Sequence, residues 1–563
     1  MQSIQKSYKT DVLVIGMGAS GARAALAAAE AGSKVLITNK GPAGRSGITL
    51  TAGGGIQAPF YPDDSPEQYY QDTVAYGYGL ADRNLAWALA RDSCDRIHDM
   101  ERYGVRFRKD EQGAFLLSHF PGHTYPRNIG FHGGGIGMLG PLKNCCLKRP
   151  NISVLDDFLV TGLLTSAEGE VAGAVGWNLK AGTFELLQAG ATIIATGGCQ
   201  QLWSISDCPA DSTGDGLALA YRVGARLVDM EMILFYPSVI VWPPAAQGAF
   251  VHYEFLARDR LDGDILDAAG VPVLPKDPVP VRDEAMRLMN QAILEGRGGP
   301  HGGLFWYVGA SPKGEAYVSQ QLDNQQYRYL SQQGINPVKD KIEVAPGAHY
   351  QLGGIHIDEH CQTTVKGLFC TPEAAGNYEG ANRLSGSALG GTQVFGYLAG
   401  CSAHRWALSH RDLTPDRLSI EAETARVQRH LYNGTAVPET LQLKEKLQQM
   451  SQNAIGVIRC EKKLLHFMEE LDRLEETLEH YRVPEKVAFQ QPLMDLLELH
   501  AMVEVARLVA GSARTRTESR GHHYREDYPA RDDVHWLKHT CVQRQEGQAR
   551  FSTCEICMER RKD

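Results

Sequence analysis

Residues 11–38 read DVLVIGMGASGARAALAAAEAGSKVLIT, and this stretch decides the fold. Residues 11–15 (DVLVI) form a short apolar strand, and residues 34–38 (KVLIT) a second. Between them Ala24, Ala25, Leu26, Ala27, Ala28 and Ala29 read as a tightly packed helix. A strand–turn–helix–strand unit of about 30 residues opens a dinucleotide-binding domain. Gly16-x-Gly18-x-x-Gly21 lies where the first strand meets the helix. Gly16 permits the tight turn, Gly18 lets a pyrophosphate approach the backbone, and Gly21 lets the helix lie close to the strand. Such a glycine triplet is a weak signal alone. Its place after an N-terminal strand and before an Ala-rich helix makes it a strong one. At the end of the second strand, where an acid often binds ribose hydroxyls, the residue is Asn39; an amide can still hydrogen-bond a hydroxyl.

Working outward, glycine clusters recur at 52–55 (AGGG), 133–135 (GGG), 195–198 (ATGG, after the strand Ala191–Ile194) and 213–216 (TGDG). They belong to 59 glycines in 563 residues, above the usual level of ~7%. Clustered glycine brings backbone close to something bulky and excludes the every-third-residue pattern of collagen. With 43% hydrophobic and 22% charged residues the chain is globular, not disordered or coiled coil. A net charge of −9 argues against a nucleic-acid binder. No run reaches the ~18 apolar residues of a membrane span. MQSIQKSYKT leads directly into a strand without a signal-peptide core, which predicts the cytoplasm and mostly reduced cysteines. Cys554 and Cys557 form a lone C-x-x-C, too little to predict a metal.

The pattern predicts an α/β architecture with five parts. A Rossmann-like cofactor-binding domain occupies 1–230 and resumes over 346–412. An inserted α+β capping domain, rich in Pro and aromatics and lacking βαβ rhythm, spans 231–345. A helical domain follows over 413–520, where Leu464, Leu465, Met468, Leu471, Leu474 and Leu478 recur at spacings of three and four. A small C-terminal domain covers 521–563, with a hairpin around Glu546-Gly547.

Arg45-Ser46 before a glycine run, PGAHYQLGGI (346–355), EGANRLSGSAL (379–389), RTESRG (516–521) and RDDVHWLKHT (531–540) together resemble one family. It is the flavoprotein subunit of fumarate reductase and succinate dehydrogenase, with L-aspartate oxidase and the soluble fumarate reductases as relatives. The resemblance runs nearly end to end. It implies an FAD-dependent oxidoreductase acting on a CH–CH bond, a mobile cap, and an electron-transport role in anaerobic respiration. It also implies a separate iron–sulfur subunit, because this chain has no cluster-binding cysteine spacing.

Carried over residue by residue, the resemblance places His349 and Arg383 as a clamp for the substrate carboxylate, a task suited to the planar guanidinium fork. Arg282, in Val281-Arg282-Asp283 at a predicted helix start, matches the family's proton donor. Glu254 and Arg258 match the relay that reprotonates it, with Arg260 as the alternative to Arg258. Glu373 matches a ribose-binding glutamate. Ser385, Ser387, Ala388 and Leu389 match the loop along the isoalloxazine ring, and Gly53, Gly54 and Gly55 the run lying against it; Arg383 is also among the implied cofactor contacts. Ala19, Ser20, Asn39, Lys40, Arg45, Ser46, Gly47, Ala195, Thr196, Gly197 and Asp215 complete the implied cofactor contacts.

Three positions depart from the family. Gly47 stands where the respiratory enzymes carry the histidine that bonds FAD covalently, so non-covalent FAD is expected. Tyr236 replaces a histidine that holds the far carboxylate of a dicarboxylate, and Tyr253 replaces a threonine beside the relay glutamate. Two phenols without positive charge there predict an α,β-unsaturated monocarboxylate with a bulky β-substituent. The other readings are an amino-acid oxidase like L-aspartate oxidase, a flavin electron-transfer subunit, and an enzyme like adenylylsulfate reductase.

Overall fold

The computed structural model describes residues 4–53, 55–322, 325–436, 439–485 and 488–560. The opening unit folds as β1 (Lys6–Ile15), α1 (Ala19–Glu30) and β2 (Val35–Thr38). β1 runs parallel to β2 on one side and to the strand Thr183–Ile194 on the other, with Val12 opposite both Val35 and Ala191. Strand Ile152–Leu155 extends the parallel set beyond β2. Strands Phe158–Thr165 and Val171–Asn178 attach antiparallel beside the first half of Thr183–Ile194, and Leu368–Cys370 joins its second half in parallel. Strands covered on both faces need continuous apolar runs, and residues 12–15 and 35–38 are buried throughout.

α1 packs on the long helix Ser387–His410 through small residues. A Cβ on Gly400 would lie 2.3 Å from the Ala24 carbonyl oxygen, so only glycine lets the two backbones approach this closely. That contact ties the loop preceding Ser387 to the first glycine turn.

A second, antiparallel sheet has the order Ile233–Trp242, Ile342–Gln351, Leu304–Tyr307, Asp264–Leu266. It has its own apolar core, with Val239, Ile240, Trp306 and Val344 among its buried members. Its strand Ile342–Gln351 runs on past residue 345 and carries His349. Helices Thr440–Ala454, Glu461–Glu479 and Gln491–Thr515 pack together, the middle one burying Leu464, Leu471, Leu474 and Leu478. Leu465, read as part of the apolar stripe, is instead exposed. The hairpin His539–Gln545/Gln548–Cys554 adds to a small sheet with Leu227–Val228 and Gly354–Ile355.

Cys554 pairs with Cys541 across this hairpin, and the other ten cysteines are free, in keeping with the expectation of mostly reduced cysteines. The C-x-x-C is therefore not a pair of equivalent thiols, and the described residues contain no cluster of three or more His, Cys, Asp or Glu placed to hold a metal ion. No helix among them is long and apolar enough to cross a membrane.

Candidate active site

A cavity of about 980 Å³ runs from the glycine turn after β1 to the edge of the second sheet. Gly16, at φ +101°, makes the sharp turn at its inner end; a Cβ there would lie 2.4 Å from the Ala195 carbonyl oxygen. α1 begins at Ala19, after Gly18 as N-cap with no side-chain cap, and Gly18, Ala19 and Ser20 line the cavity where the sequence reads an anion site. The first N–H of α1 is taken: Thr49 Oγ1 accepts from Ala19 N at 3.1 Å. The Ser20 hydroxyl is likewise engaged, with Thr371 Oγ1 at 2.8 Å, so its side chain is a packing element.

The cavity wall fits a large polar cofactor. Gly47 and Gly53 have nothing within 4 Å of where a Cβ would stand. Thr38 Oγ1, Asn39 Nδ2, Asn128 Oδ1 and Thr196 Oγ1 are buried without a hydrogen-bond partner, and all four residues line the cavity. Buried polar atoms are rarely left so, and a row of them marks a place for a ligand's own donors and acceptors. Gly18, Ala19, Ser20, Lys40, Ser46, Gly55, Ala195, Gly197, Asp215, Glu373, Ala388 and Leu389 also line it. Glu373 accepts from Gln200 Nε2 at 2.6 Å, and burial pushes its carboxyl up to about 7. Lys40 Nζ is already held by Asp215 at 2.7 Å and Glu498 at 2.6 Å, a bridge to the long helix Gln491–Thr515.

Gly21 serves as its spacing predicts: it packs α1 on the turn, where a Cβ would lie 1.9 Å from the Gly16 oxygen. Two assigned residues, Ser387 and Arg45, do not line the cavity. Ser387 is buried and donates to Glu379 Oε1 at 2.8 Å. Gly54 lies outside the described residues.

At the other end the cavity is lined by Arg282, His349 and Arg383. Arg282 opens the helix Arg282–Ala292, as its sequence predicts. Its Nη2 donates to Ser385 Oγ at 2.9 Å and reaches Glu254 Oε1 at 3.4 Å, while its Nη1 is buried with no partner. Burial works against the guanidinium charge, but Glu254 and the neighbouring tyrosines outweigh it and raise the Arg282 pKa. Arg383 stacks on the Tyr350 ring at 4.5 Å and leaves its Nε buried and unpartnered. His349 Nδ1 lies 2.6 Å from Asp207 Oδ2. A carboxylate only accepts, so Nδ1 carries the hydrogen and Nε2 is the other ring nitrogen.

Asp283, next to Arg282, accepts from Tyr78 Oη at 2.5 Å and from Asn382 Nδ2 at 2.9 Å. The Tyr78 carbonyl accepts in turn from Arg520 Nη1 at 2.9 Å. The RTESRG stretch thus backs the site without entering it.

Glu254 is where the relay expectation divides. It is buried beside Arg282 and accepts from Tyr236 Oη at 2.6 Å. Burial pushes its carboxyl up, but the facing His252 imidazole, the charge of Arg282 and the hydrogen bond from Tyr236 prevail and hold it at about 2. Arg258 is not part of this group: its side chain is 68% exposed and faces Asp277 at 3.7 Å. Arg260 donates to the His119 carbonyl at 2.9 Å. The turn Tyr253–Leu256 directs Glu254 inward, and the residues after it lead outward. The side chain that does approach Glu254 is His252, with Nδ1 at 3.8 Å from Oε2 and 3.3 Å from Tyr236 Oη. Tyr253 also departs from its expected place. It is buried away from the cavity and donates to the Pro280 carbonyl at 3.2 Å, so only Tyr236 of the two phenols lines the site. Phe250, His252 and Phe255 complete that end. No spacing in the sequence marks His252 or Asp207; both are brought in by the fold.

The sequence matches an FAD binding domain model over residues 11–389 and a fumarate reductase flavoprotein C-terminal model over 444–561. It is 34% identical to a subunit of the fumarate reductase (CoM/CoB) of Methanothermobacter marburgensis, over 93% of this chain and 95% of that one. It is 30% identical to the fumarate reductase flavoprotein subunit of Mycobacterium tuberculosis, over 95% of each. A solved variant of E. coli quinol fumarate reductase superposes with a TM-score of 0.89 at 27% identity, covering 99% of this chain and 98% of that chain.

Proposed function

Since the chain belongs to the family of fumarate reductase flavoprotein subunits, FAD-dependent oxidoreductases, we propose that its site reduces the C=C bond of an α,β-unsaturated monocarboxylate. The observation that carries this reading is a pair of buried arginines, Arg282 and Arg383, each with an unpartnered nitrogen, lining one cavity with His349. Arg383 and His349 hold the substrate carboxylate and stabilise charge that develops toward it. Asn39, Glu373 and Ala388 in the cavity wall would hold FAD, which would supply the hydride. Arg282 donates the proton to the other alkene carbon and recovers it from Glu254, whose carboxylate stands 3.4 Å away.

The far end of the site supports a monocarboxylate. Tyr236, Phe250 and Phe255 present rings there, and His252 beside them turns Nδ1 toward Tyr236 and Glu254, while His349, which also packs on Tyr236 and Phe250, is engaged at Nδ1 by Asp207. An aryl or alkyl β-substituent suits that surface better than a second carboxylate. Gly47 supports non-covalent FAD, since no side chain is available to bond it. An iron–sulfur subunit is the electron source in this reading, with the complex on the cytoplasmic side.

The test is anaerobic. The dithionite-reduced holoenzyme is mixed with fumarate, acrylate, crotonate and cinnamate, and flavin reoxidation is followed. Reoxidation by the monocarboxylates with a β-substituent, ahead of fumarate, is expected; reoxidation by none overturns the reading. Acid precipitation is expected to leave a colourless pellet and a yellow supernatant.

A further inference from the structure

We propose that the proton which Arg282 spends is replaced through His252 and Tyr236, acting on Glu254, and not through an arginine at 258. The inference rests on the reductase reading above.

The contacts form a line. His252 Nδ1 lies 3.3 Å from Tyr236 Oη, and Tyr236 Oη donates to Glu254 Oε2 at 2.6 Å. Glu254 Oε1 lies 3.4 Å from both Nε and Nη2 of Arg282. The direct gap from His252 to Glu254 is longer, at 3.8 Å, so the phenol is the shorter route. Burial also changes along the line in the direction a relay needs. The side chains of Glu254 and Arg282 are 3% and 8% exposed, whereas that of His252 is 25% exposed and lines the cavity. Phe250 and Phe255 flank the imidazole, at ring distances of 5.3 and 4.6 Å, and hold its plane. An imidazole suits the outer position because one nitrogen can release a proton while the other takes one up. The phenol suits the middle, since burial first and then the Glu254 charge hold it protonated except during transfer. Arg258 meets none of these conditions: it is exposed and turned to Asp277.

The step balances as a proton transfer alone. The N–H bond broken at Arg282 is remade from Glu254 after its carboxyl group turns over. Glu254 receives its proton from the Tyr236 hydroxyl. That hydroxyl is remade from His252 Nδ1, and His252 takes a proton from water at Nε2. No electron moves along the line; Arg282, Glu254 and Tyr236 end as they began, and His252, left with its hydrogen on Nε2, regains the Nδ1–H form by exchange with solvent before the next turnover.

The experiment uses the holoenzyme, reduced with dithionite, and the acid that reoxidises the wild type fastest. His252→Gln is expected to slow reoxidation at saturating acid by about 10- to 100-fold, with KM within about 2-fold of wild type. Tyr236→Phe is expected to show a similar loss. Added imidazole is expected to restore rate to His252→Ala but not to Tyr236→Phe, an asymmetry that a folding defect would not produce. Arg258→Ala is expected to keep the wild-type rate, and flavin absorbance to be unchanged in all variants. A full rate in His252→Gln would overturn the proposal. So would a rise in KM with unchanged kcat, which would make His252 a substrate ligand. Failure of the wild type with every acid would remove the reductase reading instead, and this inference with it.

Discussion

Arg516 and Arg520 are buried as completely as Arg282 and Arg383, yet the two pairs are treated in opposite ways. Every nitrogen of Arg516 has a partner: Nε donates to Glu231 at 2.6 Å, Nη1 to Glu518 at 3.0 Å and Nη2 to Asp229 at 3.1 Å. Arg520 is held by both oxygens of Glu518, at 2.7 and 2.9 Å, and by Asp533 at 2.8 Å. Arg282 and Arg383 instead keep a buried nitrogen with nothing to donate to. A satisfied buried charge fixes how the C-terminal segment sits on the rest of the chain. An unsatisfied one is a cost that folding carries, and a ligand can remove it. Arg23 and Arg459 also keep a buried unpartnered nitrogen away from the cavity, so it is that nitrogen together with a place in the cavity wall that marks Arg282 and Arg383 as site.

Four substitutions can break that distinction or sharpen it. Arg282→Lys should lower kcat by about 10³-fold or more while leaving the chemical denaturation midpoint close to wild type. A large loss of stability would place Arg282 with the framework. Arg516→Met should do the reverse. Leaving Asp229, Glu231 and Glu518 buried without their shared cation is expected to cost about 3–5 kcal/mol of stability, read by urea titration.

Glu379 gives a smaller and pH-dependent effect. Burial, outweighing the nearby Arg383 charge, raises its carboxyl from 4.5 to about 7. A carboxyl raised in the folded state binds a proton on folding, so its contribution is complete below 4.5 and fades as pH rises to 7. At about 1.4 kcal/mol per pH unit this is about 3 kcal/mol as an upper bound. Glu379→Gln should flatten the decline in stability between pH 5 and 7. The smallest effect is expected from Asp207→Asn, which removes the charge behind His349. KM should rise about tenfold, or ~1.4 kcal/mol, with little change in kcat.

The glycine-rich half was legible because its chemistry is local. A turn at Gly16 and a close helix at Gly21 each demand one residue type at a fixed spacing, and spacing is what a sequence displays. Arg282, His349 and Arg383 were legible only as a resemblance, and all three do line one cavity. The relay was not. Which way residues 252–260 face depends on one turn at Tyr253–Leu256, and it sends Glu254 inward and Arg258 outward. The same turn buries Tyr253 against Pro280. Partners far apart in the chain were equally hidden: Asp207 meets His349 across 142 residues and Glu231 meets Arg516 across 285. The Cys541–Cys554 bond depends on hairpin register, which the cysteine count does not carry.

Asp283 carries a mechanical consequence. It belongs to the inserted unit, but both its hydrogen bonds run out of that unit, to Tyr78 and to Asn382. Any swing of the second sheet over the glycine-rich half must break those bonds or turn about them. Arg282 is the adjoining residue, so the same two bonds moor the first turn of its helix to the glycine-rich half and fix where its guanidinium meets the cavity wall.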